Sequence, residues 1–319
     1  MKKIASTIAG AVLVVFLVTC IAFALAALSP TDAAVQSFTS MGIAPTEEQL
    51  AQKRLELGLD QPAPLQYLSW LAGLLQGDLG TSLRTGQPVP DMLFGALPYT
   101  LLLTAASLAV AVLLAVPTGL LCAQRQGSVF DRVVRAVTYL FNALPSFFVA
   151  LILLYVFSVG LNMVDVLSTR DASGVFLPAL SLGLPLAAWL SRQIRAYALE
   201  QLNAPYVDGL RSRGVSERRI LWVHVLRNIA VPLLTLVGVS FGMLLGGSAI
   251  VESIFSWPGL GYQSVLAVGH RDYAFISAFA LTMAILYLVL NGLVDCAYRF
   301  LDPRVKLGAS VSGEVSDHA

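Results

Sequence analysis

Six apolar runs, each long enough to cross a bilayer, set the limits on what this chain can fold into. They lie at 4–28, about 97–123, 133–161, 176–194, 229–251 and 275–298. The hydrocarbon core of a bilayer is about 30 Å thick and is crossed by about 20 helical residues. No water is present there to satisfy backbone N–H and C=O groups, so a run of this kind must be helical. With 57% hydrophobic and only 12% charged residues, the whole composition agrees with a polytopic membrane protein. The expected fold class is therefore all-α, with six transmembrane helices.

The first run could be a secretory signal. Lys2 and Lys3 precede it, and Ala24-Leu25-Ala26 offers small residues for cleavage. Its length of about 25 residues exceeds a signal h-region and suffices to span, so it is read as an uncleaved first helix. Pro117, Pro145, Pro178 and Pro185 fall within or near the later runs and are expected to mark kinks.

Between the first two runs, residues 29–95 carry many charges and six prolines, which is the pattern of a soluble insert. Thr46 is a candidate cap for a helix from 47 to about 57, closed by Gly58. A second helix is expected over 65–75, followed by a turn at Gly77-Asp78-Leu79-Gly80. Beyond Gly308 the tail is small and polar and is expected to be disordered. The chain thus divides into a first helix (1–28), an insert (29–95), a five-helix core (96–301) and a tail (302–319).

Lys and Arg are distributed unevenly across the spans. With the N-terminus inside, 15 of the 20 fall on inner segments, and Lys53, Arg54, Arg84, Arg170 and Arg271 fall outside. The positive-inside rule then places both termini in the cytoplasm and the insert on the opposite face.

The most charged stretch is the loop at 197–228, which contains Arg211, Arg213, Arg218, Arg219 and Arg227. These cannot lie in hydrocarbon, and the orientation makes the loop cytoplasmic. It divides into two short amphipathic helices. The first ends near Arg213, and Gly214 supplies a break where a positive φ costs little. Ser216 is the expected N-cap of the second, with Glu217 in its first turn. Ile220, Val223 and Leu226 recur at helical spacing, with Leu221 beside them. A compact basic helix pair between two spans is shaped either as a plain cytoplasmic loop or as a docking element.

Asp208, Gly209, Leu210 and Gly214, followed by Asn228 and Pro232, resemble the coupling loop of ABC-importer permeases, within them the dipeptide/oligopeptide/nickel branch. The usual glutamate is Asp208 here, and the long gap from Gly214 to Pro232 is itself like that branch. Leu57-Gly58-Leu59-Asp60-Gln61-Pro62 and Gly77-Asp78-Leu79-Gly80-Thr81-Ser82 also resemble it, while Ser29-Pro30-Thr31-Asp32 stands where the family has Gly-Asp-Pro. Between spans five and six, Trp257-Pro258-Gly259-Leu260-Gly261 and Arg271-Asp272-Tyr273 are similar to elements that recur on the family's outer side. Leu301-Asp302-Pro303-Arg304 is similar to its terminus.

The resemblance implies the type I importer permease fold, with an extracytoplasmic insert between helices 1 and 2, in a B-type subunit of the bacterial inner membrane. It implies a second permease subunit, two cytoplasmic ATP-binding subunits and an external substrate-binding protein. It implies transport of peptides, nickel or metal chelates. Asp208, Gly209, Leu210, Gly214, Val215, Ser216, Glu217 and Arg218 would then meet the ATP-binding subunits. Trp257, Pro258, Gly259, Gly261, Arg271, Asp272 and Tyr273 would form the outer turn.

Other chemistries lack their residues. There is no phosphate loop of the GxxxxGK[ST] kind, no HExxH helix and no GxSxG elbow. Cys20, Cys122 and Cys296 form no CxxC pair, and His224, His270 and His318 show no metal-ligand spacing. No basic tract interleaved with aromatics suggests nucleic acid. Neither a catalytic role nor a bound cofactor is expected, so energy would enter through a separate ATPase. A stand-alone secondary transporter is the alternative, but it would be expected to carry ionisable groups at mid-membrane, and the spans are nearly bare of charge at their centres. Two further features stay open. Gly238, Gly242 and Gly246 form a small-residue stripe that permits close helix approach, toward either a partner or this chain. Asn291, Asp295 and Arg299 share one helix face, where Asp295 is a functional candidate by default and an Arg299 pair is the structural reading.

Overall fold

The computed structural model describes residues 2–27, 33–40, 42–56, 58–161 and 172–301. Among these the regular structure is helical, and the one β feature is an isolated bridge between Thr81 and Pro88. The elements divide into two units, one of residues 1–101 and 256–288, the other of residues 102–255 and 289–319.

In the first unit, α1 (Lys2–Ala27) is a 26-residue apolar helix. Helices α2 (Ala33–Ser40), α3 (Glu47–Glu56) and α4 (Ala63–Leu75) follow. The cap of α3 is a reciprocal box: Thr46 N–H donates to Gln49 Oε1 at 2.9 Å, and Gln49 N–H donates to Thr46 Oγ1 at 3.4 Å. Helix α4 starts two residues earlier than expected, because Pro62 takes the cap position with extended geometry. Neither α3 nor α4 has a buried residue. The insert therefore builds no core of its own from these helices. Instead α4 leans on α1, with Tyr67 and Trp70 against Phe23 and the Tyr67 hydroxyl 3.0 Å from Thr19 Oγ1. The core of this unit is formed by Val89, Leu93 and Ala96 with Leu260, Ala267 and Phe275. These come from the start of α5 (Val89–Gln124), from α14 (Leu260–Gly269) and from α15 (Tyr273–Leu301).

Helix α5 has 36 residues, about 54 Å at 1.5 Å per residue, and so extends well beyond a bilayer core. From Leu102 onward it belongs to the other unit, with α6 (Val129–Ala143), α7 (Ser146–Leu154), α8 (Phe176–Leu202), α9 (Pro205–Ser212), α10 (Glu217–Arg219), α11 (Leu226–Asn228), α12 (Ala230–Gly247) and α13 (Ala249–Ile254). Here α5 and α8 approach closely. A Cβ on Gly119 would lie 2.8 Å from Ile194 side-chain atoms and from the Ser191 carbonyl oxygen, and one on Gly183 would lie 2.8 Å from Val110. Thr118 and Ser191 hydroxyls meet across the contact at 3.0 Å. Backbone cannot yield as a flexible side chain does, so Gly119→Ala is expected to cost about 1–3 kcal/mol by overpacking. Thermal unfolding of the purified variant checks this, and an unchanged midpoint would refute it.

The run expected as one span at 133–161 is not one straight helix. Val129–Ala143 and Ser146–Gly160 meet at 101°. Pro145 has no N–H to continue the ladder and holds Leu144 in extended geometry, which ends α6. The second limb finishes in a π-helical turn at Tyr155–Gly160. Val89–Gln124, Ala230–Gly247 and Tyr273–Val294 are each long and apolar enough to cross a membrane. The expected span at 229–251 breaks at Ser248, between α12 and α13. The glycine stripe in α12 is split in use. A Cβ on Gly238 would meet Val294 at 2.7 Å, whereas Gly246 and Gly247 face open space. Ser29 to Asp32, the side chains of Asp295 and Arg299, and Asp302 to Arg304 lie outside the described residues.

Candidate functional site

The charged loop folds as a helical hairpin carried on the end of α8. That helix runs eight residues past the expected boundary at Ile194 and stops at Leu202. Ala204 is extended, Pro205 opens α9, and Asp208 sits in the first turn, where a carboxylate favours the dipole. Gly214 has φ +75°, its N–H donates to the Arg211 carbonyl at 2.9 Å, and Val215 N–H donates to the Leu210 carbonyl at 3.1 Å. This is a Schellman closure, and the apolar pair it needs, Leu210 and Val215, packs onto the core.

Ser216 takes extended N-cap geometry, but its side chain makes no capping bond. After α10 the backbone widens into a π-helical turn at Ile220–Val225. The widening changes which residues face inward. Ile220, Leu221 and Val225 are fully buried, while Val223 is exposed. Sequence spacing placed Val223 on the apolar face because it assumed 3.6 residues per turn. A π turn hydrogen-bonds i to i+5 and puts Ile220 and Val225 in line instead. Together with Val207, these residues form a keel that joins Leu190, Ile194 and Ala198 of α8 and Leu120 of α5 in one cluster.

The outer face is polar. Asp208, Gly209, Arg211, Arg213, Gly214, Ser216, Glu217, Arg218 and Arg219 are exposed. Arg211 bridges the two limbs, donating from Nε to Glu217 Oε1 at 2.7 Å and from Nη1 to Asp208 Oδ1 at 3.3 Å. The Arg211 guanidinium holds the Glu217 carboxyl below its ordinary value. A depressed carboxylate stabilises above its unfolded pKa and loses that contribution only as pH falls through the folded value. The bridge is therefore intact at neutral pH. At the base, Asn228 and Tyr206 both reach Gln201 Oε1 at 3.3 Å.

The second set of expected residues lies in the other unit and is mainly structural. Trp257 is fully buried and donates from Nε1 to the Tyr99 carbonyl at 3.0 Å. Pro258 and Gly259 lead into α14. Gly259 is extended at its cap, Leu260 N–H reaches Thr100 Oγ1 at 2.7 Å, and Gly261 is buried in the first turn. Asp272, also fully buried, caps α15 by accepting from Phe275 N–H at 3.3 Å. It accepts as well from the Ser82 hydroxyl, from Leu83 N–H at 3.1 Å and from Arg84 N–H at 3.4 Å. Arg271 reaches φ +55° to present it, and Tyr273 starts the helix. The insert's last loop is thus fastened by the aspartate of Arg-Asp-Tyr, 190 residues away in the chain.

One cluster escaped the sequence. Asp131 of α6 is fully buried and receives Arg195 of α8 bidentately, at 2.8 and 2.9 Å. Gly127 N–H adds a bond at 3.0 Å, and Arg135 lies 3.6 Å away. The signal that could have pointed to it is local: Ser128 caps α6 by accepting from Asp131 N–H. Arg195 is 64 residues distant.

Comparison with known proteins decides the family. Residues 115–307 match the model of the binding-protein-dependent transport system inner membrane component, and residues 1–104 match that of its N-terminal region. The chain belongs to this family. It is a permease subunit of an ABC importer. A Brucella suis biovar 1 protein assigned as a peptide permease is 37% identical, over 91% of this chain and 94% of its own. The oligopeptide transport system permease protein AppB of Bacillus subtilis is 37% identical, over 78% and 82%. The nickel import system permease protein NikB of Staphylococcus aureus is 31% identical, over 96% and 92%. In fold, the inner membrane component resembles a chain of the inward-facing MetNI methionine ABC transporter, at TM-score 0.56 and 18% identity over 66% of this chain and 96% of that one.

Proposed function

We propose that this permease takes up peptides or metal chelates across the bacterial inner membrane, driven by ATP-binding subunits that grip the 205–228 hairpin. One observation carries the reading: the hairpin is seated on the core of its unit by a fully buried keel and turns an exposed, arginine-rich face outward. A push on that face is transmitted to α5 and α8 because the keel is close-packed and cannot deform gradually. Asp208, Gly209, Leu210, Gly214, Val215, Ser216, Glu217 and Arg218 form the contact. A second permease subunit and two ATP-binding subunits complete the assembly, and an external binding protein delivers substrate. In this reading the six apolar runs of the sequence supply six spans, and the Lys/Arg bias orients them with the insert outside and both termini in the cytoplasm. The substrate classes rest on the relatives, which include peptide and nickel permeases. The ligand of the cognate binding protein would decide between them.

Gly214→Pro removes the N–H bonded to Arg211 and cannot reach φ +75°. Reversal of Arg218 and Arg219 to Glu changes only exposed charge. Both are expected to lower ATP-driven uptake at least about tenfold, the loss of roughly 1.4 kcal/mol of coupling, with membrane insertion intact. Uptake equal to that of the unaltered protein in both variants would refute the coupling role.

A further inference from the structure

Helix α6 is amphipathic in an inverted sense. Its polar residues Asp131 and Thr138 are buried and Arg135 is half-buried, whereas one row of its apolar residues is exposed. Val129, Val133, Val137 and Leu140 are 68%, 55%, 46% and 59% exposed and share one face of a 3.6-residue helix. The inward side is held by the Asp131–Arg195 pair, so the helix cannot roll over to hide these groups without breaking a buried bidentate bridge. The axis lies at 101° to the apolar limb Ser146–Gly160. If that limb stands upright in the bilayer, α6 runs along the bilayer plane.

The flanking side chains suit the same position. Arg132 and Arg125 are exposed at and just before the N-terminal turn of α6, and the Arg125 guanidinium lies over the Phe130 ring at 5.7 Å. The Arg192 guanidinium lies over the Tyr139 ring at 5.6 Å, and Tyr139 is exposed, as at a membrane–water boundary. An apolar face flanked by exposed arginines, with no acidic side chain outward among residues 125–143, complements an anionic lipid surface.

We propose that α6 is an interfacial helix, its apolar face immersed in one leaflet and Arg125 and Arg132 set against anionic lipid headgroups. Bound there, it anchors the end of α8 from which the hairpin extends, through Asp131 and Arg195. The proposal rests on membership of a membrane-component family and not on the coupling role, so it survives if the hairpin variants transport normally.

Bimane attached at Val133→Cys and, separately, Val137→Cys tests it. The full chain, with Cys20, Cys122 and Cys296 replaced and with whatever subunits co-purify, is placed in nanodiscs of phosphatidylethanolamine and phosphatidylglycerol. Lipids brominated near the glycerol end are expected to quench both labels about twofold more than lipids brominated near the chain end, as an interfacial depth requires. Brominated phosphatidylglycerol should quench about fivefold more than brominated phosphatidylcholine at equal low fraction, and R125Q/R132Q should remove that preference. Quenching by aqueous iodide, protection from both water and lipid as under a second protein subunit, stronger quenching by chain-end bromines, or no headgroup preference would each overturn the proposal.

Discussion

Asp131→Ala is expected to destabilise the permease by about 3–5 kcal/mol, the usual cost of breaking a buried ion pair by removing one partner. The carboxylate is fully buried and satisfies Arg195 through two oxygens as well as Gly127 N–H. Its loss strands a guanidinium and a backbone donor at the start of α6. The measurement is thermal unfolding in detergent, where the midpoint should fall clearly. The remedy is also testable. Replacing both partners with apolar residues of similar volume, Asp131→Leu with Arg195→Met, should recover much of the loss, because no charge is then left uncompensated. A single variant that costs less than about 1 kcal/mol would mean the pair is already hydrated and worth no more than a surface bridge.

Asp272→Ala is expected to cost about 3 kcal/mol, since one helix cap and a loop anchor disappear together. Four donors lose their acceptor: the Ser82 hydroxyl and the N–H groups of Leu83, Arg84 and Phe275. The consequence is local as well as global. Residues 82–86 should open, so trypsin should cut after Arg84 faster than in the unaltered protein. Ser82→Ala removes one donor and leaves the carboxylate with its other partners, so its effect should be nearer 1 kcal/mol. Equal protease resistance in both variants and the parent would show that the loop is held elsewhere.

Much of the candidate site was readable because its determinants are local. Gly214 as the break after an amphipathic helix and Ser216 in N-cap geometry before Glu217 act within one or two helical turns of themselves. The same holds for the Thr46–Gln49 box that starts α3. Local rules fail where the helical period changes or the chain turns sharply. Helical spacing points Val223 inward, and the π turn carries it outward. Pro145 was expected to kink a span, but it ends one helix and starts another at 101°.

By itself the sequence determined that the chain must be helical in a membrane, because only helices satisfy the backbone inside long apolar runs, and that its charged hairpin must lie outside the hydrocarbon. It also determined the family, through motifs whose residues stand close together in the chain. The tertiary structure alone decided what those residues hold. Asp272 turned out to fasten the loop at Ser82, Arg195 to clasp Asp131, and α6 to leave one row of its apolar residues exposed. The physical reason is separation: a pairing across 64 or 190 residues leaves no periodic trace in either partner's neighbourhood, so only the folded chain shows which distant donors a buried carboxylate has gathered.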